Sequence, residues 1–324
     1  MRQILAVSRD PRRAVLLALA CYLAFDLLLP LISLPLHRPP RIVVGVMVFA
    51  STAAFMLLQL WLAQAVVNLK PAPALSAVLT LVFVALWFAV LWYIHPHRGA
   101  SVRANAPFFI GRPILLGLTI TLGCAFFGIL LSRIIREPNV LLPVALVAMP
   151  IDYIGAMTPV GFTQNAVTSN PRLVQALSVP VPAVGSAGHH GALHPIGFIG
   201  PGDALFMAFF FAVALRLNLN VRGTFWWMYG LLTATMLLVL SPVGFSVAAL
   251  IPMGLAVLIA NGRYFKLKRE EVFATVYAAA LVLALVTGFY FYSHSHFFRT
   301  RSQGENYAHR SFERTAPSRP AGNR

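Results

Sequence analysis

The sequence predicts an all-α polytopic membrane protein, because its hydropathy is high, its charge density is low and its apolar runs are long. Of its 324 residues, 59% are hydrophobic and only 10% are charged, and the mean hydropathy is +0.77. A helix that crosses a bilayer needs about 20 consecutive, mainly apolar residues. The chain holds about nine runs of this kind, so we expect about nine transmembrane helices.

Hydropathy places the apolar runs along almost the whole chain. The first run follows several arginines, as in a signal peptide, but it is too long for the apolar region of one, so we expect a retained span. The expected spans, in chain order, are 14–36, 42–67, 75–94, 113–135, 139–157, 203–217, 224–241, 244–261 and 272–292.

These spans divide the chain into four parts. Residues 1–138 contribute N-terminal membrane helices, and residues 139–261 form a core of two Asp-bearing helices and the pair of helices that follows. Residues 262–298 hold a basic loop and a C-terminal helix. Residues 299–324 are rich in Arg, Ser, Pro and Gly, and we expect them to be disordered.

The formal net charge of +16 comes from basic residues scattered over loops and tails. No soluble basic domain accompanies the spans, so we expect no nucleic-acid partner and instead a bilayer with anionic headgroups. The charge distribution favours a cytoplasmic N-terminus, with residues 158–202 on the outer side. We also expect a multi-pass protein, located in the cytoplasmic membrane of a prokaryote.

Carboxylates are the first clue to function. The chain has nine, and only Asp26, Asp152 and Asp203 lie within or at the edge of an apolar run. An ionisable side chain at membrane depth costs roughly 2.5 kcal/mol or more, so such a residue marks a functional site by default. Asp152 lies near the end of the fifth span and Asp203 opens the sixth, so antiparallel spans place both at similar depth on one side.

The residues around Asp203 favour a site that water can reach. Gly200-Pro201-Gly202 precedes it, and irregular backbone at membrane depth is tolerated only beside a water-filled cavity or when buried in protein. Two converging carboxylates share one proton near neutral pH. One can then accept a proton from an attacking water while the other donates a proton to the peptide.

This chemistry needs no metal and no cofactor. The spans contain no competing set of metal ligands. His189, His190 and His194 form a cluster in the long connection, but we expect them to face solvent, since no Cys or acid accompanies them.

The chain resembles the presenilin and signal peptide peptidase family of intramembrane aspartyl proteases over roughly residues 139–261. That family has a Tyr-Asp span, a Gly-x-Gly-Asp span and a Pro-Ala-Leu segment. Gly200-Pro201-Gly202-Asp203 resembles the second motif, and residues 151–161 followed by 172–176 resemble the first motif and its loop.

Three departures from the family pattern stand out. Ile151 replaces the usual Tyr, and Tyr153 follows the Asp instead. The third motif is Ala248-Ala249-Leu250 in place of Pro-Ala-Leu, with Pro252 four residues late. The first Asp also lies in the fifth expected span, whereas the family has it in the sixth, and a further run at 272–292 follows the third motif.

The resemblance implies a presenilin-like catalytic core that cleaves membrane proteins or signal peptides without a cofactor. It implies that Asp152 and Asp203 are the catalytic dyad and that Gly200 and Gly202 allow close backbone packing. The remaining residues implied at the active site or substrate groove are Tyr153, Ala248, Ala249, Leu250 and Pro252.

Other interpretations stay open. A prepilin-peptidase-like enzyme also has a Gly-x-Gly-Asp motif, although a basic residue typically follows it and Ala204-Leu205-Phe206 follow here. A non-proteolytic presenilin-like protein, or a proton-coupled transporter that uses the acids as a relay, fits the same residues. Asp203 also complements the dipole at a helix N-terminus, and for Asp26 we expect a structural hydrogen bond to a neighbouring helix or a short re-entrant bend near Pro30.

Overall fold

A computed structural model describes most of the chain, namely residues 10–29, 41–93, 106–157, 177–182, 197–240, 247–273 and most of 275–291. The helices are α1 (Pro11–Leu28), α2 (Arg41–Asn68), α3 (Pro73–Tyr93), α4 (Ala106–Leu131), α5 (Pro138–Met157), α6 (Pro201–Arg216), α7 (Val221–Leu240), α8 (Leu250–Asn261) and α9, formed by described residues between 269 and 291. The strands are β1 (Val179–Val181) and β2 (Gly197–Ile199).

Each expected span overlaps one of these helices, so the prediction of a mainly helical chain is confirmed. Within the described residues, four segments are long and apolar enough to cross a membrane: Ile42–Asn68, Pro73–Trp92, Ile114–Ile134 and Pro138–Gly155. The count of nine transmembrane helices stays a prediction. The start of the eighth span was wrong, because α8 begins only at Leu250.

Helix α6 lies at the centre of the bundle. Every side chain from Met207 to Ala214 is buried, and α6 packs against α2, α4, α7 and α8. A helix that is apolar all round is expected at such a position, since it has no face left for solvent or lipid. The position of Asp203, at the start of α6, is therefore fixed by several neighbouring helices.

Gly128 allows α4 to approach α6 closely. A Cβ atom at this position would lie 2.6 Å from the Leu205 carbonyl oxygen and 2.9 Å from the Phe209 amide nitrogen. Both are backbone atoms that cannot move without shifting the helix, so the contact requires glycine. This close contact between α4 and α6 fixes the position of α6 about one turn after Asp203.

A polar cluster joins the end of α8 to the start of α7. The buried Asn261 side chain accepts a hydrogen bond from the Asn220 backbone at 2.8 Å and donates to the Thr224 hydroxyl at 2.9 Å. Buried amides are stable only when hydrogen-bonded. The cluster therefore fixes the C-terminal end of α8, and the N-terminal end of α8 contacts α5.

The sequence did not predict the strands. β1 and β2 pair antiparallel, with Val179 opposite Ile199, and β1 packs on α4 beside Gly117, where a Cβ would lie 3.2 Å from Val179. The strands occupy part of the connection expected to be non-spanning, so the fold is not purely α-helical. Outside the described residues lie 158–176, the histidine cluster at 189–194 and the tail at 299–324.

Candidate active site

Asp203 is the third residue of α6 and bonds to the backbone that precedes the helix. Its Oδ2 accepts a hydrogen bond of 3.1 Å from the Gly200 amide. This is one half of a capping box, in which an acid at the third helical position satisfies the N–H of the capping residue. The Gly-Pro-Gly sequence thus forms the turn that leads into α6. The hydrogen bond from Gly200 holds the Asp203 carboxylate at the N-terminus of that helix.

Asp152 lies in the last turns of α5 and receives its hydrogen bond from a distant segment. Its Oδ2 accepts from the Leu250 amide at 2.9 Å. Leu250 is the first residue of α8, and amides in the first turn of a helix have no intrahelical acceptor. Asp152 therefore caps α8 from another helix, and the Ala248-Ala249-Leu250 segment is brought to the acid.

Two features of α5 and α8 allow this contact. Gly254, one turn after Leu250, faces Met149, one turn before Asp152, so closely that a Cβ would lie 2.7 Å from the Met149 methyl carbon. Pro150 lies inside α5, and a proline removes one helical hydrogen bond. The helix is thus weakened two residues before Asp152, at the place where it meets α8.

The two carboxylates are close enough for their charges to interact. Helix α8 contacts both α5 and α6 and so links the helices that carry them. Within the described residues no hydrogen bond joins Asp152 to Asp203, and no Lys or Arg pairs with either. Each carboxylate is anchored through one oxygen by a backbone amide, which leaves its other oxygen for further hydrogen bonds.

The strand pair leads directly into this site. β2 ends at Ile199, one residue before Gly200. Its Ile199 side chain is buried, whereas Phe198 is 43% exposed, as expected from the alternation of side chains along a strand. An extended backbone and an exposed aromatic ring therefore lie next to Asp203.

The other predicted residues have mixed positions. Tyr153 is half-buried, and its hydroxyl makes no hydrogen bond within the described region. Ala248, Leu250 and Pro252 are buried, so this segment meets Asp152 through its backbone rather than through exposed side chains. The close packing expected at Gly202 is not seen, because a Cβ there would meet no described atom within 4 Å; Gly128 and Gly254 have that role instead.

Asp26 lies apart from this site, in α1. It is 4% exposed, and the described residues provide no hydrogen bond to its carboxylate, contrary to the expected structural hydrogen bond. Tyr22 precedes it by one turn and is fully buried, and its hydroxyl lies near the Thr121 hydroxyl without forming a well-aligned hydrogen bond to any described residue. The Gln59 amide reaches only the Thr121 hydroxyl, at 3.5 Å.

Sequence reasoning did not anticipate the Leu250 amide as the donor to Asp152. No residue type signals a backbone N–H that donates to a carboxylate. The resemblance of Ala248-Ala249-Leu250 to the Pro-Ala-Leu motif did indicate the segment that carries it. Gly254 and the strand pair also went unpredicted. Among the described residues there is no group of three or more His, Cys, Asp or Glu that could hold a metal ion.

Comparison of the chain with protein-family models, with curated proteins and with solved structures finds no match. The geometry of the site and the short motifs are therefore the basis for assigning a function.

Proposed function

We propose that the chain is a multi-pass intramembrane aspartyl protease that hydrolyses peptide bonds of transmembrane or signal-peptide-like substrates with Asp152 and Asp203. We place it in the cytoplasmic membrane of a prokaryote, as a divergent relative of the presenilin and signal peptide peptidase family. Its core would be residues 139–261.

One observation carries the proposal. Three segments that are far apart in sequence meet at one place: Asp152 on α5, Asp203 on α6, and the Leu250 amide at the start of α8. Helix capping explains the hydrogen bond at each carboxylate taken separately. It does not explain why a second carboxylate comes within electrostatic range without a cation between the two.

The proposed mechanism uses the two carboxylates in opposite protonation states. The ionised carboxylate takes a proton from water as the water oxygen attacks the peptide carbonyl carbon, and the protonated partner gives its proton to the carbonyl oxygen. The resulting gem-diol collapses when the carbon–nitrogen bond breaks. The amine leaves with a proton from one aspartic acid, and a hydroxyl of the diol returns a proton to the other.

The backbone around the site supports binding of an extended substrate. A helical substrate must unwind before its carbonyl can be attacked, and its freed backbone groups then need partners in the protein. β2 pairs with β1 on one side, and Pro180 makes β1 a poor acceptor for a further strand. We propose that the substrate adds to β2 as a strand, with its scissile bond beside Asp203.

The test is cleavage of a panel of single-span peptides by the purified full-length protein in detergent, with products identified by mass. Wild-type protein is expected to cut at least one peptide at a defined bond, and Asp152→Asn and Asp203→Asn are expected to abolish that product. Size-exclusion profiles of the variants must match wild type. Cleavage that survives Asp203→Asn would exclude Asp203 from the mechanism.

A proton-coupled transporter is the competing function, because half-buried carboxylates also act as proton relays in membranes. It predicts no peptide cleavage and solute uptake into proteoliposomes that requires a pH gradient. Gradient-dependent uptake, together with an uncut panel from a folded sample, would replace the protease assignment.

A further inference from the structure

A second polar feature lies at the opposite end of α6 from Asp203. The ends of α2, α4 and α6 surround a cavity of about 290 Å³. Asp203 and Arg216 are separated by 13 residues of this helix, or about 20 Å at helical rise. The cavity is thus independent of the proposed catalytic site.

Three cationic side chains line this cavity: Lys70 after α2, Arg133 after α4, and Arg216 at the end of α6. Arg133 and Arg216 are close enough for their charges to repel. No carboxylate lines the cavity, and none forms an ion pair with these three residues within the described part of the chain. The cluster therefore has an uncompensated positive charge.

The Arg133 guanidinium is only partly satisfied by the protein. One terminal nitrogen donates to the Pro71 carbonyl at 2.8 Å, which fixes the side chain between α4 and the end of α2. Its buried Nε has no hydrogen-bond partner in the described region. A guanidinium presents its donors in a fixed planar fork that matches the oxygens of phosphate.

Helix dipoles explain part of this arrangement. All three cations follow or end a helix, and a positive charge at a helix C-terminus is stabilised by about 0.3–1 kcal/mol. That benefit is available to each residue separately, with the side chain turned toward solvent. It gives no reason for two arginines to be held close enough to repel each other at one cavity, whereas an anion between them does.

Apart from Ser132 and Asn218, the remaining lining is apolar and includes Val67, Ile129 and Leu215. A free inorganic anion gains nothing from such a wall, but the glycerol and upper acyl carbons of a lipid do. The cavity is close to the lower end of the range of about 300–1,000 Å³ for small-molecule pockets. We propose that this cavity binds the phosphodiester of an anionic phospholipid between Lys70, Arg133 and Arg216.

The test measures lipid binding to the full-length protein in an uncharged detergent. Phosphatidylglycerol or phosphatidylcholine is added, and bound lipid is counted by native mass spectrometry. Wild type is expected to retain phosphatidylglycerol at least tenfold more tightly than the Arg216→Gln variant does. Arg216 makes no hydrogen bond in the described region, so its replacement leaves the packing intact, and Arg216→Lys is expected to keep most of the binding.

The matched control is Arg222→Gln, which removes one exposed positive charge near the start of α7 without touching the cavity lining. It is expected to bind phosphatidylglycerol as wild type does. Equal loss in Arg216→Gln and Arg222→Gln would overturn the site, since it would show that net charge alone attracts the lipid. Equal retention of phosphatidylcholine by wild type would overturn it as well.

A third measurement distinguishes the binding of lipid from the binding of soluble phosphate. Inorganic phosphate alone is added to wild type, and the midpoint of thermal unfolding is recorded against that in phosphatidylglycerol. A rise with the lipid that phosphate does not reproduce supports the proposal. The opposite result is a saturable rise of the unfolding midpoint with phosphate that Arg216→Gln abolishes, while the lipid has no effect. That result would assign the cavity to a soluble anion and overturn the proposal of a lipid site.

Discussion

Asp26 and the pair Asp152 and Asp203 are all carboxylates in apolar helices, but their surroundings differ. Asp26 is surrounded by packed side chains in the last turn of α1 and receives no hydrogen bond from the described residues. Asp152 and Asp203 are half-buried, and each receives an N–H from backbone at the start of a helix.

The difference shows that an acid within an apolar helix does not by itself make a site. What distinguishes the pair is the irregular backbone beside it, namely the Gly-Pro-Gly turn before α6 and the late start of α8. Such backbone offers unpaired amides that hold a carboxylate, and it interrupts the side-chain packing that closes the space around Asp26. Four predictions test this contrast, in order of decreasing expected effect.

The largest effect is expected from neutralising the pair. Asp152→Asn and Asp203→Asn should each reduce peptide cleavage by at least about 10³-fold, or about 4 kcal/mol in transition-state stabilisation, because the proposed mechanism requires a proton shared by the two carboxylates. Asp26→Asn makes the same chemical change in a different setting and should stay within about threefold of wild type. Initial rates on one cleavable peptide provide the comparison, and an equal loss at Asp26 would remove the distinction.

The next largest effect concerns the close contact between α4 and α6 at Gly128. Gly128→Ala should lower the free energy of unfolding by about 3 kcal/mol, because its Cβ would be pressed against backbone atoms of α6. Gly230→Ala is the matched control, since a Cβ there meets nothing within 4 Å and alanine favours a helix. Thermal unfolding in detergent measures both, and equal stability of the two variants would show that α4 and α6 are not in close contact.

A smaller effect isolates the hydrogen bond to Asp203. Gly200 has a φ of −69°, which proline accepts, and the preceding Ile199 lies in a strand, as a residue before proline prefers. Gly200→Pro removes the N–H and should lower the cleavage rate by about 30-fold, equivalent to about 2 kcal/mol for a hydrogen bond to a charged group.

Gly200→Ala keeps the amide and serves as the control for that loss. Its Cβ would lie 3.5 Å from the Asp203 carboxylate oxygen, an ordinary contact, so its rate should remain close to that of wild type. If the alanine and proline variants lose activity equally, the side chain and not the hydrogen bond is responsible.

The smallest effect lies in the Asp26 region and has the opposite sign. Tyr22→Phe should raise the free energy of unfolding by about 1 kcal/mol, because it removes a buried hydroxyl that the nearby Thr121 does not satisfy with a well-aligned hydrogen bond. Tyr153→Phe, at a half-buried position near the pair, should change stability by less than about 0.5 kcal/mol. A loss of stability in Tyr22→Phe would mean that its hydroxyl is satisfied and that this region is also a built polar site.

Hydropathy predicted helix positions well where the apolar run is uniform. The second and third spans, expected at 42–67 and 75–94, match Arg41–Asn68 and Pro73–Tyr93 within two residues at each end. Hydropathy failed to predict where α8 begins. The residues from 244 onward are as apolar as those of a membrane helix, but α8 starts only at Leu250. Composition cannot distinguish an apolar irregular segment from an apolar helix.

The site was predictable where side-chain chemistry carries it. Asp152 and Asp203 stand out because carboxylates are rare in apolar runs. The strand pair gave no comparable signal, since each strand has only three residues, too few to show alternation. The Leu250 contact and the role of Gly128 depend on how backbones approach one another, and that follows from packing rather than from residue type.

The short helix α8 has a consequence for the surrounding lipid, since its Leu255 and Ile259 side chains are exposed. It has 12 residues, so at helical rise it is about 18 Å long, against a hydrocarbon thickness of about 30 Å. Hydrophobic mismatch of this kind makes a bilayer thin locally. Under the proposed function, a substrate helix of normal length that arrives beside α8 would then extend beyond the thinned lipid, and its protruding end would be hydrated and ready to unwind on the side where Asp152 and Asp203 lie.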